Sequence, residues 1–512
     1  MRKFLIVVII ALASAGASYA QTLKNMLETL DGVVSIQEIT QENKIFDEKY
    51  IITFEQPLDW DGASDLYFTQ RVEIGFKGFD KINIFNVGGY NLQDKNFSSD
   101  DRVDLAKIFD ANYIAPEYRY FGKSAPAGLS VNDTNLWEYL TDYNASSDFH
   151  NIITQLKQIL TGKFIFTGAS KGGQATNVHA YYYPSDADIY VSYVAPFCNG
   201  QEDMRMIDAI NNNIGTERYG SEQAKKYRDL MLDFQVELIR EREFLQPKLM
   251  ANRITSFDVS LRPEYNISKD YEIYYALDFV EEIWQYEQNF VSVDYILNMP
   301  RENSNDRQIY LNTMLEFMKA DDGDNSIADF FPYEVQAHKE NGKDGYKFKY
   351  LREKLNKAGL NLTINENEES GLYSRMIFTP EQRKIFTFNP DLRNKIIDWT
   401  QNNTSNVIML HGSSDPWYYG RLEEADNGRN IYLFVDDTQA HGLNISKMPE
   451  NLRIQVMNLL NDWLYNESDN NYALSKSNSG CNSGLSSILL AVVLLGMCKR
   501  GIFRLKIFSM TS

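Results

Sequence analysis

Residues 163–183 read KFIFTGASKGGQATNVHAYYY. KFIFTGAS is a short bulky apolar run, which predicts a buried strand ending in a tight turn. KGGQATNVHAYYY, from Lys171, predicts a helix that starts at that turn. Between them stands Gly168-Ala169-Ser170-Lys171-Gly172, a Gly-x-Ser-x-Gly pentapeptide. Such a turn is so tight that its flanking positions must lack bulk, and it presents the Ser170 hydroxyl above the sheet edge. The N–H of Lys171, at the helix start, can point at a developing oxyanion. A plain turn is the competing reading, since Gly and Ser are common in turns. The strand before and the helix after favour the nucleophile.

Working outward, ADIYVSYVAPF (187–197) is the next buried strand, and strand, helix, strand in this order predicts a parallel sheet. Upstream, KYIITFEQPL, LYFTQRVEIGF and KINIFNVGG are strand-like from about residue 45 to 90, followed by the apolar run ANYIAPEYRYFG. A helix is expected from Ser146 to Leu160. From about 200 to 390 the texture becomes charged, long-period and helical, as in SEQAKKYRDLMLDFQVELIREREFL, with no buried strand run. Strands return with NVIMLHG (406–412) and NIYLFVDD (430–437), and MPENLRIQVMNLLNDWL closes with a helix. The expected fold is α/β, an α/β-hydrolase core interrupted by a large helical cap.

A nucleophilic serine needs a histidine base and a carboxylate to orient it. In this fold they follow the serine in the order acid, histidine, each on a loop after a later strand. Of five histidines, His150 precedes the nucleophile and His179 lies far along the nucleophile helix. His338 is in the cap, and His411 is at a strand end rather than beyond it. His441, in TQAHGLN after NIYLFVDD, is correctly placed, and NVIMLHGSSDPWYYG supplies Asp415. Asp436 and Asp437 compete for the acid's role but are expected to cap or solvate the strand end. KINIFNVGGYN places Gly88, Gly89 and Tyr90 after an early strand, where small residues let the backbone approach a substrate; the second oxyanion donor is expected there, with a mere turn as the equal alternative. The Lys171 side chain is expected to point away along its helix. Cys198 could lie near the cleft, but reads better as a small buried hydrophobe.

At 512 residues, 43% hydrophobic and 24% charged, the chain can bury a sizeable core. Its formal charge is -19. Arg2, Lys3, Lys499, Arg500, Arg504 and Lys506 lie in terminal segments without Asp or Glu, so the body without them carries -25. Such acidity argues against binding nucleic acid or anionic lipid. Three cysteines, at 198, 481 and 498, make neither a disulfide framework nor a zinc site, and no metal or cofactor is expected.

MRKFLIVVIIALASAGASYA (1–20) has the basic start, apolar run and small residues of a secretory signal peptide, with cleavage expected after Ala20. At the other end SKSNSGCNSG (475–484) is a flexible polar stretch, followed by LSSILLAVVLLGM, Cys498 and a basic tail. Together these resemble the C-terminal sorting tags that some bacteria use for surface anchoring, which implies Cys481 as the processing or attachment point. A short membrane anchor with its tail inside is the alternative. The expected division is signal peptide 1–20, core 21–196, cap 197–390, core 391–468, linker 469–484 and anchor 485–512, with membrane contact only through that last segment.

FEQPLDWDGASDLYFTQRVEIGFKGF (54–79) and VGGYN (87–91) resemble the N-terminal block of the secreted bacterial prolyl tri- and tetrapeptidyl aminopeptidases, relatives of lysosomal prolyl carboxypeptidase. PEYRYFGKSAP (116–126) and LWEYLTDYNASSDFHNII (136–153) resemble the blocks before their nucleophile, and FTGASKGG resembles the nucleophile turn itself. IYVSYVAPF, FFPYEVQA (330–337) in the cap, SSDPWYYG and QAHG complete the order over residues 50–445. The cap matches less closely outside FFPYEVQA. The resemblance implies an α/β-hydrolase fold, a Ser170–Asp415–His441 triad, peptide substrates, and release of short N-terminal peptides with Pro before the cut. An aminopeptidase must also recognise a cationic amine, for which Glu117 is the candidate carboxylate, its pairing with Arg119 or another arginine being the favoured alternative. The rival functions are an esterase or lipase on the same triad and a catalytically dead surface peptide-binding protein.

Overall fold

Among the described residues nine strands form one sheet in the order β1-β2-β3-β5-β4-β6-β7-β10-β11. They are β1 (Val33–Glu38), β2 (Glu48–Pro57), β3 (Tyr67–Phe76), β4 (Asn83–Val87), β5 (Asn112–Pro116), β6 (Phe164–Ala169), β7 (Ile189–Tyr193), β10 (Val407–Gly412) and β11 (Ile431–Asp436). In this computed structural model the described residues are 22–40, 45–92, 104–253, 283–286, 290–320, 327–344, 348–360, 378–402, 405–423 and 430–465. The expected signal peptide, linker and anchor segment lie outside them. Among the described residues no helix is long and apolar enough to cross a membrane.

The first three strands and the β3–β5 pairing are antiparallel, and every pairing from β5 through β4, β6, β7 and β10 to β11 is parallel. The continuous apolar runs explain this. All residues of β4, β5, β7 and β10 are buried, as strands covered by helices on both faces must be. From β2 onward the strand order, with its β5–β4 reversal beside β6 and with β3 running against the other strands, is that of the α/β hydrolases, and β1 adds one more strand at the edge.

The longer helices are α1 (Asp142–Leu156), α2 (Lys171–Tyr182), α3 (Met204–Asn212), α4 (Ser221–Arg240), α5 (Arg242–Arg253), α6 (Phe290–Leu297), α7 (Ser304–Ala320), α8 (Ile327–Gln336), α9 (Phe348–Lys357), α10 (Asp391–Thr400) and α11 (Glu450–Tyr465). Helices α3 to α9 fall between β7 and β10 and build the cap. The two-residue strands β8 (Glu202–Asp203) and β9 (Lys343–Asp344) pair there in parallel and tie the start of the cap to a later part of it.

Two boundaries differ from the sequence reading. The sheet begins at Val33 rather than near residue 45, because β1 is an edge strand without a continuous apolar face. Helix α1 runs 142–156 rather than 146–160: Thr141 caps it, its hydroxyl accepting the Asn144 N–H at 3.1 Å.

Candidate active site

Ala169 is the last residue of β6 and Lys171 the first of α2, so Ser170 alone makes the turn between them. It does so at φ 55° and ψ -124°, a conformation costing about 1–3 kcal/mol that is held only where the surroundings enforce it. The Ser170 N–H donates to Tyr193 O at 2.9 Å, and its carbonyl accepts the Gln174 N–H at 2.9 Å. The glycines are packing requirements: a Cβ on Gly172 would lie 1.9 Å from Val87 O, and one on Gly168 would lie 2.4 Å from Gly172 O. Strand, turn and helix thus close on one another only without side chains at these positions.

Register places the other two residues. Ala169 is level with Tyr193, Tyr193 with Leu410, and Gly412 with Asp436, so β6, β7, β10 and β11 end along one edge. Asp415 lies just beyond β10 and His441 just beyond β11. His441 Nδ1 is 3.0 Å from Asp415 Oδ2, while Oδ1 accepts the Trp417 N–H at 3.2 Å. Asp415 is fully buried and the imidazole is 11% exposed, so the pair is shielded on the acid's side. The His441 loop crosses the end of β10: a Cβ on Gly412 would stand 2.2 Å from Gln439 O and 2.7 Å from Ala440 Cα. Asp436 caps this loop, accepting from Thr438 N–H at 2.8 Å, Thr438 hydroxyl at 2.7 Å and Gln439 Nε2 at 2.5 Å.

The early loop meets the Ser170 turn at Gly89. Its φ is +82°, and a Cβ there would come within 2.8 Å of Gly172 N and 3.0 Å of Lys171 C. The Gly89–Tyr90 backbone therefore lies against the start of α2, the place at which the second oxyanion donor is expected. The Tyr90 ring packs edge-on against Phe121, centroids 5.7 Å apart.

The Lys171 side chain does not run out along its helix. Its amine is buried, with Nζ 3.6 Å from the centroid of the Tyr118 ring and donating to Gln336 Oε1 at 2.7 Å. Burial pushes this amine down to about 7, although Asp142 and Glu340 pull the other way. Gln336, the last residue of α8, also donates to Tyr118 Oη at 2.9 Å and to Asp142 Oδ1 at 2.6 Å. Asp142 in turn pairs with Arg393 of α10 at 2.8 Å. A buried polar chain thus links α2, the cap and the returning core.

Glu117 is not presented to a substrate amine. It is fully buried, and its oxygens accept from Leu92 N–H at 2.9 Å, Lys123 N–H at 3.0 Å and the Ser124 hydroxyl at 2.6 Å. Arg71 is its ionic partner at 3.6 Å. Burial raises its pKa, opposed by the Ser124 hydrogen bond and the other donors. Arg119 instead makes a two-pronged pair with Asp148, at 2.7 and 2.9 Å. Cys198 is buried with Met206 and Trp417.

The remaining histidines stand elsewhere. His150 and His179 share Asp186, at 2.8 and 3.1 Å, and His338 contacts Gln201 in the cap. His411 is buried and pushed down to about 3 by desolvation, with help from Arg421 and His441, so it is neutral. Two cap residues escape a sequence reading: Gln285, whose carbonyl accepts the His441 N–H at 2.9 Å, and Tyr286, whose ring meets the imidazole. They lie within the repetitive DYEIYYALDFVEEIWQYEQNF, where nothing singles them out.

A serine on a strained strand-to-helix turn of an α/β-hydrolase sheet, with an Asp–His pair along the same edge, defines the serine hydrolases of this fold. Residues 18–471 match the PS-10 peptidase S37 family, and the chain belongs to it. It is thereby a serine peptidase. Over 446 residues it is 23% identical to the prolyl tri/tetrapeptidyl aminopeptidase of Streptomyces mobaraensis, covering 86% of this chain and 85% of that protein. Among solved structures it is similar to proline iminopeptidase from Mycobacterium smegmatis, at 14% identity over 80% of this chain and 98% of that one, TM-score 0.33. Esterase E22 is similar at 10% identity over 81% and 100%, TM-score 0.40. Neither of these two likenesses adds to what the strand order says.

Proposed function

We propose that this serine peptidase is an exported exopeptidase that releases short peptides from free N-termini, with Pro preferred before the cut. Ser170 Oγ attacks the scissile carbonyl while His441 Nε2 takes its proton, and Asp415 holds the imidazole through Nδ1. The N–H groups of Lys171 and of the Gly89–Tyr90 turn receive the oxyanion. Collapse of the tetrahedral adduct breaks the C–N bond, and His441 returns the proton to the leaving amine. Water, deprotonated by the same imidazole, then hydrolyses the acyl-enzyme and frees Ser170.

The observation that carries this reading is the 3.0 Å His441–Asp415 pair, on the same sheet edge as the strained Ser170 turn. The substrate class is supported by what the Streptomyces relative is called, and the limit to short or terminal peptides by a cap hydrogen-bonded to both sides of the site. Export is supported by the composition of residues 1–20, and a surface tether by SKSNSGCNSG and the apolar run after it.

The test is a peptide set varied in N-terminal blocking and in the position of Pro, with products read by mass spectrometry. Cleavage of free-amine peptides after Pro is expected, and acetylated peptides should resist. Cleavage at internal sites regardless of blocking would sink the exopeptidase reading. Ser170→Ala should lose about 10⁴- to 10⁶-fold in turnover.

A further inference from the structure

The cap touches the site on two sides with tyrosines. On one side Tyr333, from α8, packs against Tyr90 of the proposed oxyanion turn, ring centroids 6.2 Å apart. On the other, residues 283–286 reach the His441 loop. Trp284 is fully buried, packed edge-on against Phe290 with centroids 4.8 Å apart, and it anchors this stretch in the cap. Gln285 then holds the His441 main chain through its carbonyl, at 2.9 Å. Tyr286, next along, meets the imidazole edge-on, at 6.1 Å between centroids and 84° between planes. Yet Tyr286 is 54% exposed, whereas its neighbour Trp284 is sealed. The ring thus meets His441 while more than half of the residue stays accessible.

This position has a chemical consequence. In the proposed mechanism His441 Nε2 must come within about 2.6–3.2 Å of both the serine oxygen and the leaving nitrogen. A ring in contact with that imidazole is therefore within one side-chain length of the scissile bond. An aromatic ring in that position suits an apolar residue and does nothing for a glycine. A pyrrolidine ring fits best: it is flat-sided and already rigid, so little conformational freedom is lost when it packs.

We propose that Tyr286 is a specificity-determining residue, its exposed face receiving the side chain of a residue that flanks the cut, with proline the preferred class. This rests on the serine-peptidase reading, with Ser170 and His441 in the roles given above. The cap thereby selects substrate through the same stretch that holds His441 in place.

The experiment measures kcat/KM for the full chain, Tyr286→Ala and Tyr286→Phe on matched peptides that differ only in Pro, Ala or Gly beside the cut. The readout is the ratio of Pro to Gly, which cancels any general loss from a displaced His441. Tyr286→Ala should lower this ratio by about tenfold, chiefly through KM, and Tyr286→Phe should restore it. A ratio unmoved by Tyr286→Ala, whatever the absolute rates, overturns the proposal, as does a Phe variant that behaves like Ala. Ser170→Ala is assayed alongside: full turnover there would sink the triad, while an unmoved ratio in a Ser170-dependent enzyme sinks only the role of Tyr286.

Discussion

Lys171 Nζ donates to Gln336 Oε1 at 2.7 Å, so the residue after the proposed nucleophile is bonded to the last residue of a cap helix. Burial pushes that amine down to about 7, whereas in the unfolded chain it titrates near ~10.4. Between those values the unfolded state holds a proton that the folded state has lost. Stability should therefore rise with pH across that window, by up to about 1.4 kcal/mol per unit, and level off below pH 7, where both states are protonated. Lys171→Met removes this dependence. Chemical denaturation from pH 6 to 10 should show wild type gaining on the variant as pH rises; parallel curves would mean that the amine stays charged in the fold.

Gly412→Ala tests the crossing of the His441 loop over β10. The added methyl would meet the Gln439 carbonyl at 2.2 Å and Ala440 Cα at 2.7 Å, both main chain, so the loop itself must shift. Overpacking of this kind costs about 1–3 kcal/mol. A shift approaching an ångström in His441 relative to Asp415 should lower kcat by about 10²-fold. Paired measurements of kcat and Tm check it, and an unchanged kcat would show that the loop does not position the imidazole.

Glu117→Gln separates an interior carboxylate from an amine-binding one. An amide must turn its NH₂ toward donors that now find an oxygen: Leu92 N–H or Arg71 on one side, Lys123 N–H and the Ser124 hydroxyl on the other. Breaking a buried pair in this way costs about 3–5 kcal/mol, to be read as a lower Tm. The preference for free-amine over acetylated peptides should not change. A lost preference at undiminished Tm would return Glu117 to the substrate site.

The features visible in the sequence are those fixed locally. A short apolar run, Gly-x-Ser-x-Gly and a helix start lie within 163–183, and Asp415 and His441 each follow a recognisable strand. The misread or unseen features depend on distant partners. Gln336 lies 165 positions beyond Lys171, and nothing near Lys171 reveals where its amine ends. Glu117 sits among aromatics in PEYRYFG, and only the return of Arg71 on β3 shows that it faces inward. Strand β1 was illegible because an edge strand need not alternate, and Tyr286 because DYEIYYALDFVEEIWQYEQNF offers several equivalent tyrosines.

Asp415→Asn tests the pair itself. The side chain keeps its shape, and its oxygen can still accept the Trp417 N–H that now holds Oδ1 at 3.2 Å, so Tm should move little. What changes is the partner of His441 Nδ1 at 3.0 Å. A carboxylate there accepts a hydrogen bond from Nδ1–H, which keeps the proton on Nδ1 and leaves Nε2 free to act as the base. An amide NH₂ donates to Nδ1 instead, placing the proton on Nε2, where the imidazole cannot take one from Ser170. Turnover should fall by about 10⁴-fold. In the proposed triad the three groups act as a unit, so adding Asp415→Asn to Ser170→Ala should cost little beyond Ser170→Ala alone. Equal and multiplicative losses in the double variant would show that Asp415 acts independently of Ser170, and Asp436 would be the next acid to test.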